Sequence, residues 1–357
     1  MKIAWIRKNY SISFNKPWAC MVLGARGSGK SSLLETFGCY FLDRNHKVLD
    51  IFGSRDGENL AWLRSPYEKD RKVLLIKGDN TDVDCSWSVK SISDVTLHDI
   101  ESHDIVISSA PLYSDPDTEF QAVARLTDLV YRRLSWRKII YMIIREASNL
   151  YYSRLKVTRN QQLAKAQEIY LLRESRHMGL AAGLDTLKFT SIDLDVRSVM
   201  DFHIFKALGL LRVPEIKWIF GFIDPHVIPN LKPNQFVILT RTSAIGLGVF
   251  KAIPWHKQEQ ENILRQLGIK VEHGEPIQEA KDRGTYKTVG DQEHAEIILE
   301  YVAGKSMVKI AAERGRSSAT IREHLHRHDE AVERSGFCPV CRRVKCPYVD
   351  TKVLRHA

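Results

Sequence analysis

Residues 24–31 read Gly-Ala-Arg-Gly-Ser-Gly-Lys-Ser and satisfy the pattern G-x-x-x-x-G-K-[ST] without a mismatch. The pattern constrains the fold because it works only where a strand turns into a helix. Residues 20–23 are apolar and strand-sized, and residues 32–41 are compatible with a helix. Glycines in such a turn let backbone N–H groups converge on phosphates, and the following helix N-terminus adds a favourable dipole. Gly24, Ala25, Arg26, Gly27, Ser28, Gly29, Lys30, Ser31 and Ser32 are therefore expected to cradle a nucleotide. Lys30 would reach the β- and γ-phosphates and Ser31 would hold Mg²⁺, which makes ATP with Mg²⁺ the expected cofactor.

The remainder of the first 250 residues fits this beginning. Apolar runs at 19–23, 47–52, 73–76, 104–107, 139–144, 180–184 and 202–205 are rich in Val, Ile or Leu, and helix-length polar segments separate several of them. That alternation predicts an α/β fold, a largely parallel sheet with helices on both faces. Runs at 235–240 and 246–253 flank the polar Arg241-Thr242-Ser243 and predict a hairpin that finishes the sheet. A helix is expected over 258–267. Residues 272–292 are polar and aperiodic, hold three glycines and one proline, and read as a linker. The expected domains are a P-loop ATPase over 1–271, the linker over 272–292, a helical domain over 293–330 and a Cys-rich basic tail over 331–357.

Hydrolysis of a nucleotide also needs an acid that orients or activates water. The run 139–144 ends in Arg145-Glu146, at the strand edge where α/β sheets bind ligands. Glu146 is the expected catalytic acid. Arg145 occupies the place where a Walker B motif usually carries Asp.

The formal net charge is +10, and it is unevenly spread. Positions 131–176 hold eleven Lys or Arg against three Asp or Glu. Such a block suits a polyanion such as nucleic acid, and equally a solvated helical face. No apolar run approaches the ~20 residues of a membrane span, and MKIAWIRKNY lacks the apolar stretch of a signal peptide. The expectation is a cytoplasmic protein. Cys20, Cys39 and Cys85 are scattered and read as buried small hydrophobes.

At this point the sequence resembles the HerA/FtsK superfamily of ring-forming, DNA-pumping ATPases. Those proteins follow the Walker B strand with a segment like Asp-Glu-Ala-His-Asn-Leu, and here Arg145-Glu146-Ala147-Ser148-Asn149-Leu150 stands. They then show Arg-x-x-Gly, a strand and Thr-Gln-Arg-Pro. Here Arg176-His177-Met178-Gly179 leads into 180–184 and then Thr186-Leu187-Lys188-Phe189. Ser191-Ile192-Asp193 and Val196-Arg197 resemble the polar stretch that follows, and the likeness spans roughly residues 15 to 255. The resemblance implies a RecA-like P-loop NTPase core. It also implies that Arg176 is an arginine finger reaching the neighbouring subunit's nucleotide, with Arg173 as a competing candidate. Thr186 matches the sensor Thr, Leu187 replaces the sensor Gln, and Asp185 is an acid that could substitute. Arg154, Lys156 and Arg159 follow the Walker B strand and would face DNA in a ring channel, contacting phosphates without sequence preference.

Residues 293–302, 307–314 and 319–328 read as three short helices around turns at 304–306 and 315–317, with Ser317 as an N-cap and Ile321 and Leu325 as core. The segment resembles the helix-turn-helix of resolvase-like proteins through Gly304, Ser306, Ile310, Ala311, Gly315, Ser317, Thr320 and Ile321. Its third helix would enter the major groove with Ser318, Arg322, Glu323 and His326 outward, and His324, His326 and His328 are expected on the wet face. Cys338 and Cys341 form C-x-x-C, and Cys346 follows. These three thiols suit structural Zn²⁺ with a fourth ligand from His356 or from an upstream histidine.

The combined expectation is an ATP-dependent double-stranded DNA translocase. It would work as a homo-oligomeric, hexameric ring in viral genome packaging or DNA transfer, with a portal, nuclease or conjugation partner. The other expectation is an ATP-gated DNA-binding protein with little hydrolysis.

Overall fold

The computed structural model describes residues 1–346 except 54, 133–137, 155, 157, 209–218, 220, 225, 257–259 and 270–288. The chain divides into two units, Met1–Val271 and Glu272–Ala357. The first contains, in order, β1 (Lys2–Arg7), β2 (Ala19–Leu23), α1 (Lys30–Leu42), β3 (Lys47–Phe52), α2 (Tyr67–Asp70), β4 (Val73–Lys77), β5 (Ser88–Ser91), α3 (Leu97–Ser102) and β6 (Ile105–Ser108). There follow α4 (Pro116–Tyr131), β7 (Ile140–Ile144), α5 (Arg159–Glu174), β8 (Leu180–Thr186), α6 (Leu194–Val199), β9 (Phe202–Phe205), β10 (Gln235–Thr240), β11 (Ile245–Val249) and α7 (Gln260–Gln266).

The strands form one sheet in the order β1-β11-β10-β9-β2-β8-β7-β3-β6-β4-β5. From β9 to β5 every neighbouring pair is parallel. The central strands are mostly apolar because both faces are covered, with Lys47 and Asp50 of β3 and Asp185 and Thr186 of β8 as buried exceptions. Val48, Ile105, Tyr141 and Ile143 face a core with Leu34, Phe37, Phe41 and Trp62. The intervening Leu49, Val106, Ile140 and Met142 face a second core with Val123, Leu126, Ala164 and Leu171.

The hairpin of β10 and β11 is present and antiparallel, but it does not finish the sheet. β1 pairs antiparallel with β11 and forms that edge, while β5 forms the other. β5 has no continuous apolar run; β1 has one, Ile3-Ala4-Trp5-Ile6, but as an edge strand it is only partly covered. β11 ends at Val249 rather than 253, and β8 runs two residues beyond the predicted 184. That extension carries Asp185 and Thr186 inside the strand.

The second unit contains α8 (Asp291–Val302), α9 (Met307–Arg314), α10 (Ser318–Ser335) and α11 (Pro339–Arg343). Ser306 and Ser317 cap α9 and α10 by accepting from the N–H of Lys309 and Thr320. Gly315 takes the left-handed conformation (φ 58°) that ends α9. Ile297, Ile298, Ile310, Ile321, Leu325 and Val332 share one core with Cys338, Cys341 and Cys346. α10 passes through position 330 without a break. Among the three histidines expected on its wet face, His326 is exposed, His324 is half-buried and His328 is completely buried. The helix continues beyond 328, and the Cys segment folds back to cover that face.

Candidate nucleotide site

The loop between β2 and α1 is tied down at both ends. Gly24 donates its N–H to Thr186 O at 3.3 Å and Ala25 to Ala207 O at 2.8 Å. Gly29 adopts φ 84°, and a Cβ there would overlap Pro233 O. A Cβ on Gly24 would overlap Ser28 Oγ and Lys206 Cβ, so the loop closes as tightly as it does only with glycine. Among the described residues no side chain caps α1, and no acid lies in its first turn, which leaves its N-terminal amides for an anion. Lys30 Nζ arches back to Ala25 O at 3.2 Å. Arg26 and Gly27 are exposed, whereas Ser28 and Ser32 are buried.

The loop forms one wall of a cleft of about 1220 Å³, whose lining includes Lys30, Ser31, Glu58, Glu146, Asp185 and Leu187. The cleft lies at the C-terminal edge of β2, β8 and β7. Its volume, its glycine-walled loop and its uncapped helix fit a nucleotide triphosphate. Ser31 Oγ lies 3.2 Å from Asp185 Oδ2 and 3.1 Å from Glu58 Oε2. A hydroxyl between two carboxylates is a donor set suited to Mg²⁺.

Glu146 lines the cleft from the end of β7. Its backbone is left-handed, with φ 45°, and its N–H donates to Asp185 Oδ1 at 2.6 Å. Burial and the neighbouring charge of Asp185 push its carboxyl pKa upward, against the pull of Lys30. A carboxylate shifted in that direction is a better proton acceptor near neutral pH.

Arg145 turns away from the cleft into the protein. Its guanidinium is buried against Asp50 at 2.7 Å, Glu35 at 2.8 Å and Glu58 at 3.8 Å. Burial opposes its charge, but Asp50, Glu35 and Glu58 outweigh that and keep it protonated. His256 extends the network, with Nδ1 2.6 Å from Glu35 and Nε2 3.5 Å from Glu58. Glu58 thus connects this buried network to Ser31.

Glu58, His256 and Lys206 carry no sequence motif and were not expected at the site. Glu58 begins a 3₁₀ segment after β3, and His256 follows the last strand by several residues. Lys206 lies under the loop and donates to Pro233 O at 2.6 Å and Gln235 O at 2.7 Å. Its burial, with Lys30 nearby, lowers its pKa to about 7.

Arg176 is not among the residues lining the cleft; it pairs with Asp201 and remains about half exposed. Arg173 pairs with Asp195. The basic block is largely compensated in space. Arg132, Lys138, Arg145, Lys165, Arg173 and Arg176 all pair with acids outside positions 131–176. Arg154, Lys156 and Arg159 are exposed just before and at the start of α5.

In the second unit, Ser318, Arg322, Glu323 and His326 are exposed along α10. Cys338, Cys341 and Cys346 are buried, and His356 lies outside the described residues. The groups gathered with Cys338 and Cys341 are His294 and His328, all four ligand atoms lying within 4.8 Å of one another. Cys20 is buried as expected, but Cys39 and Cys85 are only half-buried. No helix among the described residues is long and apolar enough to cross a membrane.

No protein-family model matches the chain, and neither does any curated protein. Among solved structures, the chain is similar to the genome packaging NTPase B204 from Sulfolobus turreted icosahedral virus 2 in complex with ATP-gammaS. The identity is 19%, over 66% of this chain and 98% of that one, with a TM-score of 0.39. It is also similar to the pCW3 conjugation coupling protein TcpA (12% identity, 74% of this chain, 70% of that one, TM-score 0.45). A third likeness is to ATPases 2 and 3 of Thermomonospora curvata EccC (13% identity, 68% of this chain, 38% of that one, TM-score 0.39).

Proposed function

We propose that this protein is an ATP-dependent double-stranded DNA translocase that works as a homo-oligomeric ring, hexameric by its family resemblance. The observation that carries the reading is the convergence of Lys30, Ser31, Asp185 and Glu146 in one cleft at the carboxyl edge of the sheet. Lys30 neutralises the β- and γ-phosphates. Ser31, flanked by Asp185 and Glu58, holds Mg²⁺, which when bound offsets phosphate charge. Asp185 supplies the carboxylate that the Arg145 position lacks. Glu146 orients the attacking water and accepts its proton on a carboxylate whose pKa burial has raised. Arg176 serves as the finger offered to a neighbouring subunit, and Arg154, Lys156 and Arg159 grip DNA phosphates. The exposed face of α10, with Ser318, Arg322 and His326, supplies a second DNA contact in the manner of a helix-turn-helix. Genome packaging or DNA transfer, with a portal, nuclease or conjugation partner, is the setting this machinery fits.

A DNA-stimulated ATPase assay tests the reading. Turnover stimulated by duplex DNA and abolished by Lys30→Ala and by Glu146→Gln is the expected result. One observation favours the ATP-gated DNA-binding reading: apolar Leu187 lines the cleft where a hydrogen-bonding sensor would stand. Tight ATP binding with no DNA-stimulated turnover would decide for that reading.

A further inference from the structure

The described part of the second unit spans only residues 289–346. A helical module this small has too few aliphatic side chains to be secure on its core alone, and such modules commonly need a staple. Here imidazoles and thiols are buried beside the aliphatic side chains. His294 comes from α8, His328 from α10, Cys338 from the N-cap of α11 and Cys341 from its first turn. All four are buried. Packing two imidazoles and two thiols together is costly unless they bind something.

The spacing of these groups is specific. Cys338 Sγ is 3.6 Å from His294 Nε2, and Cys341 Sγ is 3.3 Å from His328 Nδ1. A tetrahedral ion with Zn–S near 2.3 Å and Zn–N near 2.05 Å sets its sulfur and nitrogen ligands about 3.6 Å apart. His294 already has the outer partner that metal-binding imidazoles use, since its Nδ1 lies 2.9 Å from His324 Nδ1. His328 is completely buried, and its Nε2 has no hydrogen-bond partner among the described residues.

We propose that His294, His328, Cys338 and Cys341 bind one structural Zn²⁺ ion, and that Cys346 is packed beside the site without ligating. The ion ties the first and third helices of the module to the Cys segment. The C-x-x-C turn is thereby the fastener of the helical module, not an appended tail. Binding releases the two thiol protons as the sulfurs become thiolates. His324 acts as a positioning residue that holds the ring of His294.

The full chain, purified without chelator, should contain one zinc per chain by elemental analysis. After exchange to Co²⁺, the visible spectrum should be that of a tetrahedral ion with two thiolates. Cys346→Ser should keep the metal and leave the thiolate-to-cobalt charge-transfer band unchanged. Cys341→Ser and His328→Ala should lose the metal and the cooperative melting of the module while nucleotide binding by the first unit persists. A folded chain without stoichiometric zinc would overturn the proposal. So would a charge-transfer band lowered by about a third in Cys346→Ser, because it would make Cys346 a third sulfur ligand.

Discussion

Asp185 accepts the backbone N–H of Glu146 at 2.6 Å, so an acid at the end of β8 fixes the acid that follows β7. The same carboxylate faces Ser31 through its other oxygen. Asp185→Asn keeps the shape but removes the charge. We expect it to raise the Mg²⁺ concentration needed for half-maximal ATPase activity at least about tenfold. Glu146→Gln should instead lower kcat by about 10²–10⁴ with little change in that concentration. Magnesium titrations of steady-state turnover separate the two, and identical titration curves for Asp185→Asn and the parent would remove Asp185 from the metal site.

Arg145 is a buried cation among three acids, so its removal leaves like charges facing one another without compensation. Arg145→Met should destabilise the first unit by about 3–5 kcal/mol, measured by denaturant unfolding. Arg145→Asp, which writes the usual acid into the motif, should be worse still. A stable, more active Arg145→Asp protein would contradict the arrangement described above.

Glu119 is buried in α4, and burial raises its pKa to about 8. The folded state therefore keeps this proton up to about pH 8, whereas the unfolded chain loses it near the ordinary glutamate value of 4.5. Between those values the folded state binds the extra proton, so stability falls as pH rises. Glu168, raised to about 7 by burial, acts in the same direction. Glu119→Gln should shrink the loss of stability between pH 5 and pH 8, read from urea unfolding at the two pH values. An undiminished loss would mean that Glu119 is ionised in the folded protein.

Arg154, Lys156 and Arg159 are exposed, whereas Lys165 and Arg173 are paired with Asp193 and Asp195. Each lost phosphate contact lowers the slope of log affinity against log salt by about 0.9, so changing the three exposed residues to Glu should reduce it by about 2.7. Lys165→Gln with Arg173→Gln should leave the slope nearly unchanged. Fluorescence anisotropy with a short duplex over a salt series gives both slopes.

The sequence made the loop between β2 and α1 legible because its signal is local: eight consecutive residues, 24–31, carry the pattern. The central strands were legible because burial on both faces forces long apolar runs. β5 was not, because Ser88–Ser91 carries no apolar run and its place rests on backbone hydrogen bonds to β4. Glu58 and His256 reach the site through segments without periodicity, and only the folded chain sets them beside Ser31 and Glu35. Summed along the sequence, the block from 131 to 176 suggested a strongly basic surface. Six of its cations instead pair with acids elsewhere in the first unit. The C-x-x-C was visible, but its partners His294 and His328 lie in two earlier helices. His328 faces inward because it shares one face of α10 with Ile321, Leu325 and Val332 at helical spacing.

Arg145 also constrains which neighbouring sequences are reachable. Because Asp50, Glu35 and Glu58 all face one guanidinium, with His256 against the two glutamates, an acid cannot enter position 145 by a single change without placing a fourth carboxylate among them. At least two of these positions would have to change together, through intermediates less stable than either end. Position 145 is therefore epistatically locked: the cation and the acids around it can be exchanged only together.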